Sequence, residues 1–153
     1  MADSGNDRLN EYVTAMVGNQ LFGLPILRVQ DVFAPTRITR VPLAPPEIAG
    51  ILNLRGRIVT LIDLRARLGL GLRTDKGQSM AIGVEARGES YGLLIDGIGE
   101  VLKLDDSRRE PVPVNLDARL SGFAAGIYRL EEQLLVVIDI DRVLDVGMRA
   151  VAA

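Results

Sequence analysis

Residues 48–70, IAGILNLRGRIVTLIDLRARLGL, contain two short apolar runs separated by a basic turn, Arg55-Gly56-Arg57. Short runs rich in β-branched residues around a glycine-containing turn are typical of a β-hairpin. We expect Gly56 to supply the turn geometry. Asp63 follows the second run where a helix N-cap belongs, because its carboxylate can accept hydrogen bonds from free backbone amides. The stretch predicts strand, turn, strand and short helix.

The same pattern occurs a second time, at residues 126–144, which read GIYRLEEQLLVVIDIDRVL and align without gaps on residues 50–68. Asp139 takes the place of Asp63. Repetition at a long period indicates two copies of one small β unit. The predicted first repeat covers about 12–71 and the second about 79–146.

The fold class follows from many short strands with turn signals and little helix, which predict an all-β protein. Each repeat of about 65 residues is too small to bury a large core alone, so the two should pack on each other. Residues 11–146 are therefore predicted to form one domain in which two barrels or sheets pack on each other. The small, polar residues 1–10 and the residues 147–153 are predicted to be disordered tails. A strand is expected over 26–33.

Composition excludes several kinds of chemistry. The chain has no Cys and no His, which removes thiolates, disulfides and the commonest metal ligand and general base. We predict no catalytic residue, no metal site and no cofactor. A net charge of −2 gives no electrostatic reason to bind nucleic acid or an anionic membrane. No signal segment and no apolar run of roughly 20 residues are present, which favours the cytoplasm.

The residue types suggest three other functions. Asp63 and Asp139 could form a carboxylate pair for acid–base chemistry, but their equivalent places in two repeats favour two helix caps. A hydrolase or transferase would have to use carboxylates, hydroxyls or Lys, and no constellation of these stands out. A small-barrel nucleic-acid-binding module is the alternative function, disfavoured by the charge and by the low aromatic content of 4%.

Arg55 differs from its counterpart in the other repeat, which is Glu131. Residues that two copies share are explained by folding, whereas a difference needs another reason. A guanidinium on a rigid hairpin can make bidentate contacts with carboxylates or carbonyls of a partner. An ordinary surface arginine in an arginine-rich chain is an equally good interpretation of the pattern alone.

Taken together, these residues resemble the CheW family of bacterial chemotaxis coupling proteins, from Tyr12 to Val146. The resemblance is most specific from Pro42 to Leu64, and Asp31 departs from a family pattern that more often has Glu. The chain shows neither a kinase catalytic segment nor a receiver domain, so it is similar to the stand-alone adaptor. The matching segments are FGLPI at 22–26, VQDV at 29–32, ITRVP at 38–42, NLRG at 53–56 and IDL at 62–64.

The resemblance implies two five-stranded barrels, SH3-like or OB-like, with strands exchanged between the halves and with short helices. It implies a non-enzymatic scaffold that couples methyl-accepting chemoreceptors to the chemotaxis histidine kinase, in the cytoplasm and recruited to membrane-associated receptor arrays. A groove between the barrels would receive the receptor's helical hairpin, and a barrel face would bind the kinase, for which we assign no residues. The implied receptor-binding residues are Val29, Asp31, Gly50, Asn53, Arg55 and Gly56.

Overall fold

The computed structural model describes residues 9–70 and 80–145. Strands dominate this part of the chain, which confirms the predicted all-β class. The ten strands of the described residues are β1 (Leu9–Val17), β2 (Gln20–Pro25), β3 (Val29–Phe33), β4 (Ile48–Leu54), β5 (Arg57–Asp63), β6 (Met80–Ala86), β7 (Glu89–Ile95), β8 (Gly97–Asp105), β9 (Ala124–Arg129) and β10 (Leu134–Ile138). Their short helices are α1 (Leu64–Arg67), α2 (Ala118–Ser121), α3 (Ile140–Leu144) and the 3-10 turns Ile26–Arg28 and Asp106–Arg108.

The strands form two five-stranded sheets. The first sheet has the order β8-β1-β2-β10-β9, and the second has the order β3-β6-β7-β5-β4. Each repeat therefore gives its first hairpin to the sheet that holds the last two strands of the other repeat. Strands of different repeats meet at the parallel pairs β2–β10 and β5–β7 and at the antiparallel pairs β1–β8 and β3–β6. The exchange of strands that the resemblance implied is confirmed.

A single antiparallel bridge joins the two edges of each sheet. In the second sheet, Thr39 lies in the segment that follows edge strand β3 and pairs with Ile51 on the opposite edge strand, β4. In the first sheet, Glu110 follows β8 and pairs with Ile127 on β9. These bridges close the sheets into two barrels of similar construction.

Three apolar clusters hold the barrels together. The largest takes buried residues from both sheets and from all three α-helices, including Phe22, Ile62 and Leu120. Two smaller clusters belong to one sheet each, around Tyr128 in the first and around Leu61 in the second. Since burial of apolar surface is the main favourable term in folding, the largest cluster makes the two barrels one structural unit.

Both predicted hairpins and both predicted helix caps are confirmed. The hairpins are β4–β5 and β9–β10, and each carries a bulge at the same place, next to Gly50 and next to Gly126. The carboxylate of Asp63 accepts from the amides of Arg65 and Ala66 at 3.0 and 3.3 Å. That of Asp139 accepts from the amide of Arg142 at 3.2 Å. Each aspartate thus satisfies free amides at the start of its own helix.

Two predicted boundaries are corrected by the strand pairing. Leu9 and Asn10, placed in the N-terminal tail by their sequence, pair with Asp105 and Leu104 and belong to β1. The strand expected over 26–33 begins only at Val29, because Ile26–Arg28 forms a 3-10 turn in which the chain leaves one sheet for the other. The predictions for residues 1–8, for the connector between the repeats and for the tail at 147–153 lie outside the described residues.

Candidate protein-binding site

All six residues implied to bind the receptor belong to the second sheet, on or beside its two edge strands. Val29 and Asp31 lie on β3, and Gly50 and Asn53 lie on β4. Arg55 and Gly56 form the turn between β4 and β5. The Thr39–Ile51 bridge joins the segment after β3 to β4, so the six residues lie around the place where the second barrel closes.

The hairpin tip places a guanidinium on a tightly held turn. Arg55 has φ of 53° and Gly56 has φ of 84°, so both central residues are left-handed, as in a two-residue hairpin turn that matches the twist of the strands. The side-chain oxygen of Asn53 accepts a hydrogen bond of 2.8 Å from the amide of Gly56. Gly56 supplies left-handed turn geometry as expected, but Arg55 supplies it too, in a conformation that costs a residue with a side chain energy.

The Arg55 side chain is exposed and makes no hydrogen bond or ion pair with any other residue of 9–70 or 80–145. The same turn occurs at the β6–β7 hairpin, where Arg87 and Gly88 have φ of 54° and 77°. The turn type therefore does not by itself distinguish Arg55. What distinguishes Arg55 is its position near Asn53, at the tip of a hairpin that contains edge strand β4.

Gly50 is buried, because the segment that contains Ile38 and Thr39 passes over it. It has φ of +149°, and a Cβ there would lie 2.5 Å from the carbonyl oxygen of Thr39 and 2.7 Å from Cγ2 of Ile38. The residue is glycine because the segment that closes the barrel crosses directly over it. Gly50 therefore shapes the edge and presents no side chain to a partner.

Asp31 and Val29 are half-buried on the opposite edge strand. Val29 packs against the largest core cluster, whereas the Asp31 carboxylate lies over Gly83 of β6, where a Cβ would collide with it. No ion pair involves Asp31 within the described residues. The glycine at 83 leaves room for this carboxylate beside the sheet.

Sequence reasoning missed a group of exposed apolar residues on edge strands and crossings. Leu27, in the 3-10 turn between the sheets, is 95% exposed. It borders a groove of about 360 Å³ that also takes residues from the start of β1 and from the end of β2, and Arg109. Val101 and Ile98 on edge strand β8 are 49% and 42% exposed. Exposed apolar side chains of this size can add contact area to a protein interface.

The available side chains offer little chemistry. No cluster of three or more acidic residues in a metal-binding arrangement occurs among the described residues. Burial, together with a hydrogen bond to Glu89, raises the pKa of Tyr91 to about 12. Burial likewise raises the pKa of Tyr128, next to the hydroxyl of Tyr12. These phenols stay protonated at neutral pH and are poor nucleophiles.

The aromatic residues do not form a stacking surface. Four of the six are buried, namely Tyr12, Phe22, Tyr91 and Tyr128, and the other two, Phe33 and Phe123, are half-buried. Stacking of nucleic-acid bases needs exposed rings beside positive charge. The buried rings therefore speak against the nucleic-acid alternative. The described residues also contain no helix of the length and apolarity that crossing a membrane requires.

Comparison with known proteins decides the family. The profile of the CheW-like domain matches residues 11–147. The chain belongs to the CheW-like domain family. It is 30% identical over 135 residues to the chemotaxis protein CheW of Klebsiella aerogenes, an alignment that covers 88% of this chain and 81% of the relative. It is also 29% identical over 121 residues to the protein PilI of Pseudomonas aeruginosa, covering 78% and 67% of the two chains.

A solved structure shows the same architecture as this CheW-like chain. The crystal structure of the scaffolding protein TtCheW from Thermoanaerobacter tengcongensis superposes with a TM-score of 0.80 at 33% identity. The match covers 90% of this chain and 89% of the other. The exchanged two-barrel arrangement is therefore shared with a protein described as a scaffold.

Proposed function

We propose that this CheW-like chain is a non-enzymatic adaptor that couples methyl-accepting chemoreceptors to the chemotaxis histidine kinase in signalling arrays. The observation that carries the proposal is the family match over residues 11–147, together with the shared fold of a scaffolding protein. The surface is consistent with it, because apolar side chains are exposed on edge strands and the guanidinium of Arg55 is exposed on a hairpin turn. In this proposal the protein acts in the cytoplasm and reaches the membrane-associated arrays through its partners.

The receptor is proposed to bind beside the joined edges of the second sheet. Arg55 and Asn53 are exposed there, so they can offer hydrogen bonds and charge to a helical hairpin. Val29 and Asp31 border the same barrel on β3. Gly50 and Gly56 contribute through backbone geometry, since one is buried and the other forms the turn.

Leu27, Ile98 and Val101 are proposed to add apolar contact area for the partners. Leu27 lies on the link between the sheets, and Ile98 and Val101 lie on edge strand β8, beside strand β1 of the largest core cluster. Val101 pairs with Val13, a member of that core. Burying such side chains would contribute roughly 25 cal/mol per Å² of apolar surface.

Reconstitution tests the adaptor. The purified chain is mixed with the cytoplasmic fragment of a methyl-accepting receptor, inserted in a lipid template, and with the histidine kinase. We expect all three to sediment together and the kinase to autophosphorylate faster than without the chain. Failure of the chain to bind either protein, or turnover of a substrate by the chain itself, would refute the proposal.

A salt series on the same samples separates the adaptor from the nucleic-acid alternative. Binding that rests on many phosphate contacts loses roughly 10³-fold or more in affinity between 50 and 200 mM salt. We expect a much shallower dependence for the receptor and the kinase, and no measurable affinity for single-stranded DNA at physiological salt.

A further inference from the structure

The helices α1, α2 and α3 meet at a joint between the two barrels. α1 follows β5 and packs on β5 and β7 of the second sheet, whereas α2 precedes β9 and α3 follows β10 of the first sheet. Each helix buries a leucine in the largest core cluster, namely Leu64, Leu120 and Leu144. Contacts of α1 with the other two helices are therefore contacts between the barrels.

Arg67, the last residue of α1, reaches across this joint to the end of α3. Its Nε donates to the carbonyl oxygen of Val143 at 3.0 Å. Its Nη2 donates to the carbonyl oxygens of Arg142 at 2.9 Å and of Asp145 at 3.1 Å. The last carbonyl groups of a helix lack partners within the helix and favour a cation. A guanidinium of the second barrel therefore caps a helix of the first barrel.

The same guanidinium also contacts the segment that follows α2. Its Cζ lies 4.4 Å from the centroid of the Phe123 ring. Burial lowers the pKa of Arg67, and the carboxylates of Glu47 and Asp145 act in the opposite direction. The side chain stays charged at neutral pH because the usual pKa of a guanidinium is far above 7. Partial removal from water strengthens the hydrogen bonds that this charge donates.

The internal repeat makes this contact one-sided. In the gapless alignment of the two copies, Arg67 corresponds to Val143, so the arginine donates to the carbonyl of its own counterpart. The valine side chain is fully buried in the core. Because one copy is built with a valine here, the repeated unit itself does not need the arginine. A role between the two units explains it.

Two further arginines complete a cycle of caps around the joint. Nη1 of Arg119 in α2 donates to the carbonyl oxygen of Gly69, just after α1, at 2.7 Å. Nη1 of Arg142 in α3 donates to the carbonyl oxygen of Gly122, just after α2, at 3.3 Å. Thus α1 caps α3, α3 caps α2, and α2 caps α1. The contacts of Arg67 and Arg119 cross from one barrel to the other.

We propose that Arg67 is a lock between the two barrels, which holds α3 of the first barrel against α1 of the second and so fixes the angle between the barrels. The shared apolar core favours contact without direction. The planar fork of a guanidinium binds its acceptors in fixed directions, so it selects one relative position. The lock itself does not depend on the proposed function; in an adaptor it would hold partners on different barrels at one relative position.

Pulsed electron paramagnetic resonance measures the distance between the barrels. The chain has no Cys, so Lys103→Cys on β8 and Arg57→Cys on β5 place one spin label on each barrel, at exposed positions. Arg67→Met keeps an unbranched apolar stem and removes the donors. We expect this variant to widen the distance distribution at least about twofold, and Arg67→Lys, which keeps the charge without the fork, to give an intermediate width.

Amide hydrogen exchange reports on the end of α3 in the same variants. Without the guanidinium, the last carbonyl groups of α3 lose their partner and the final turn frays. The amides of Val143 and Asp145 donate within this helix end. They should exchange at least about tenfold faster in Arg67→Met, equivalent to about 1.4 kcal/mol, while the amides of β1 keep their protection.

Arg129→Gln is the matched control. It removes hydrogen bonds of 3.0 Å to Glu110, but both residues belong to the first barrel, so the distance distribution should not change. Arg119→Gln is a second test variant at an exposed position, and it removes the contact with Gly69 across the joint. It should widen the distribution less than Arg67→Met, and it decides the question if Arg67→Met does not fold.

Two results would overturn the inference. An unchanged distance distribution in folded Arg67→Met would do so, and faster exchange alone would make Arg67 only a cap of α3. Equal widening in Arg129→Gln would also do so, because general loss of stability would then explain the change. Both measurements use the isolated chain, so failure of the reconstitution refutes the adaptor and leaves the lock, and failure of the lock leaves the adaptor.

Discussion

The two halves of the chain share equivalent backbone hydrogen bonds, but they carry different charged side chains at equivalent positions. The amide of Asp63 donates to the carbonyl of Glu47 at 2.7 Å, and the amide of Asp139 donates to that of Phe123 at 2.8 Å. Yet the second residue of α1 is Arg65, which pairs with Asp96 at 3.6 Å. Backbone geometry is thus repeated, while side-chain charge is free to vary between the halves.

The charge at the helix start is reversed in the other half. The second residue of α3 is Asp141, and it pairs with Arg28 at 2.9 Å. Each of these pairs reaches from a helix to the residues that follow a neighbouring strand. Equivalent helix positions therefore link the two halves to each other with ion pairs of opposite polarity. The repeats share the backbone contacts that build the barrels, and they differ in the charged side chains at equivalent positions.

The largest expected effect concerns the two buried glycines at the bulges. Gly50→Ala should destabilise the fold by about 3 kcal/mol, because a Cβ would meet the backbone oxygen of Thr39 and the backbone is left-handed. Gly126→Ala should cost only about 1 kcal/mol, since its Cβ would mainly meet the movable side chain of Arg109, 2.6 Å from Nε. Urea unfolding measures the free energy of unfolding of both variants. Equal losses would contradict the difference between the chain segments that cross the two glycines.

The next effect concerns the hairpin tips. Arg55→Glu should lower receptor affinity at least roughly tenfold, or about 1.4 kcal/mol, since an attractive contact becomes a repulsive one. The unfolding free energy should stay within about 0.5 kcal/mol, because Arg and Glu both carry a Cβ at this exposed turn. Calorimetric titration of receptor and kinase measures the change.

Arg87→Glu is the matched control, since Arg87 occupies the same kind of turn in the other hairpin. It should leave receptor affinity as it is. An equal loss in both variants would mean that general charge, and not the position of Arg55, governs binding. Unchanged affinity in Arg55→Glu would make Arg55 an ordinary surface residue.

A smaller effect is expected at the helix caps. Asp63→Ala and Asp139→Ala should each cost about 1 kcal/mol of stability and leave partner binding unchanged. The loss at Asp63 should be the larger one, because it accepts two amide hydrogen bonds and Asp139 accepts one. Thermal unfolding shows which of the two variants loses more stability. Lost binding at an unchanged melting temperature would contradict the structural role of these aspartates.

The smallest effect is a pH dependence at the pair Arg28–Asp141. The hydrogen bond from Arg28 holds the pKa of Asp141 below its usual value. The pair therefore adds stability above the carboxyl pKa of the unfolded chain, and this is lost as pH falls through the lower folded pKa. Arg28→Gln should cost about 0.5 kcal/mol at pH 7 for so exposed a pair. A cost that persists in strongly acidic solution would assign the effect to packing.

Local chemistry explains why much of the fold could be predicted. The apolar runs around residues 55–57 and the caps at Asp63 and Asp139 are signals carried by a few neighbouring residues, and the structure confirms them. The internal repeat predicted two similar units. The exchange of hairpins came only from the family resemblance, because no local pattern states which sheet a hairpin joins.

The details of the site depend on tertiary contacts that a single sequence does not show. The local sequence does not predict that Gly50 is buried. Only the structure shows that Thr39 crosses over it. The 3-10 turn at Ile26–Arg28 exists because the chain changes sheets there. Leu27 and Ile58 resemble core residues in sequence, and only the closed barrels show that nothing in the described chain covers them.

The exchanged hairpins also set the order in which the protein can assemble during synthesis. β2 emerges early from the ribosome, but its parallel neighbour β10 is near the other end of the chain. Neither barrel can be completed from the first repeat alone, because the second barrel needs β6 and β7. Such long-range pairing slows folding and keeps strand edges open while translation proceeds. The second barrel can therefore close once β7 has been made, at Ile95, whereas the first barrel must wait for β9 and β10 near the end of the chain.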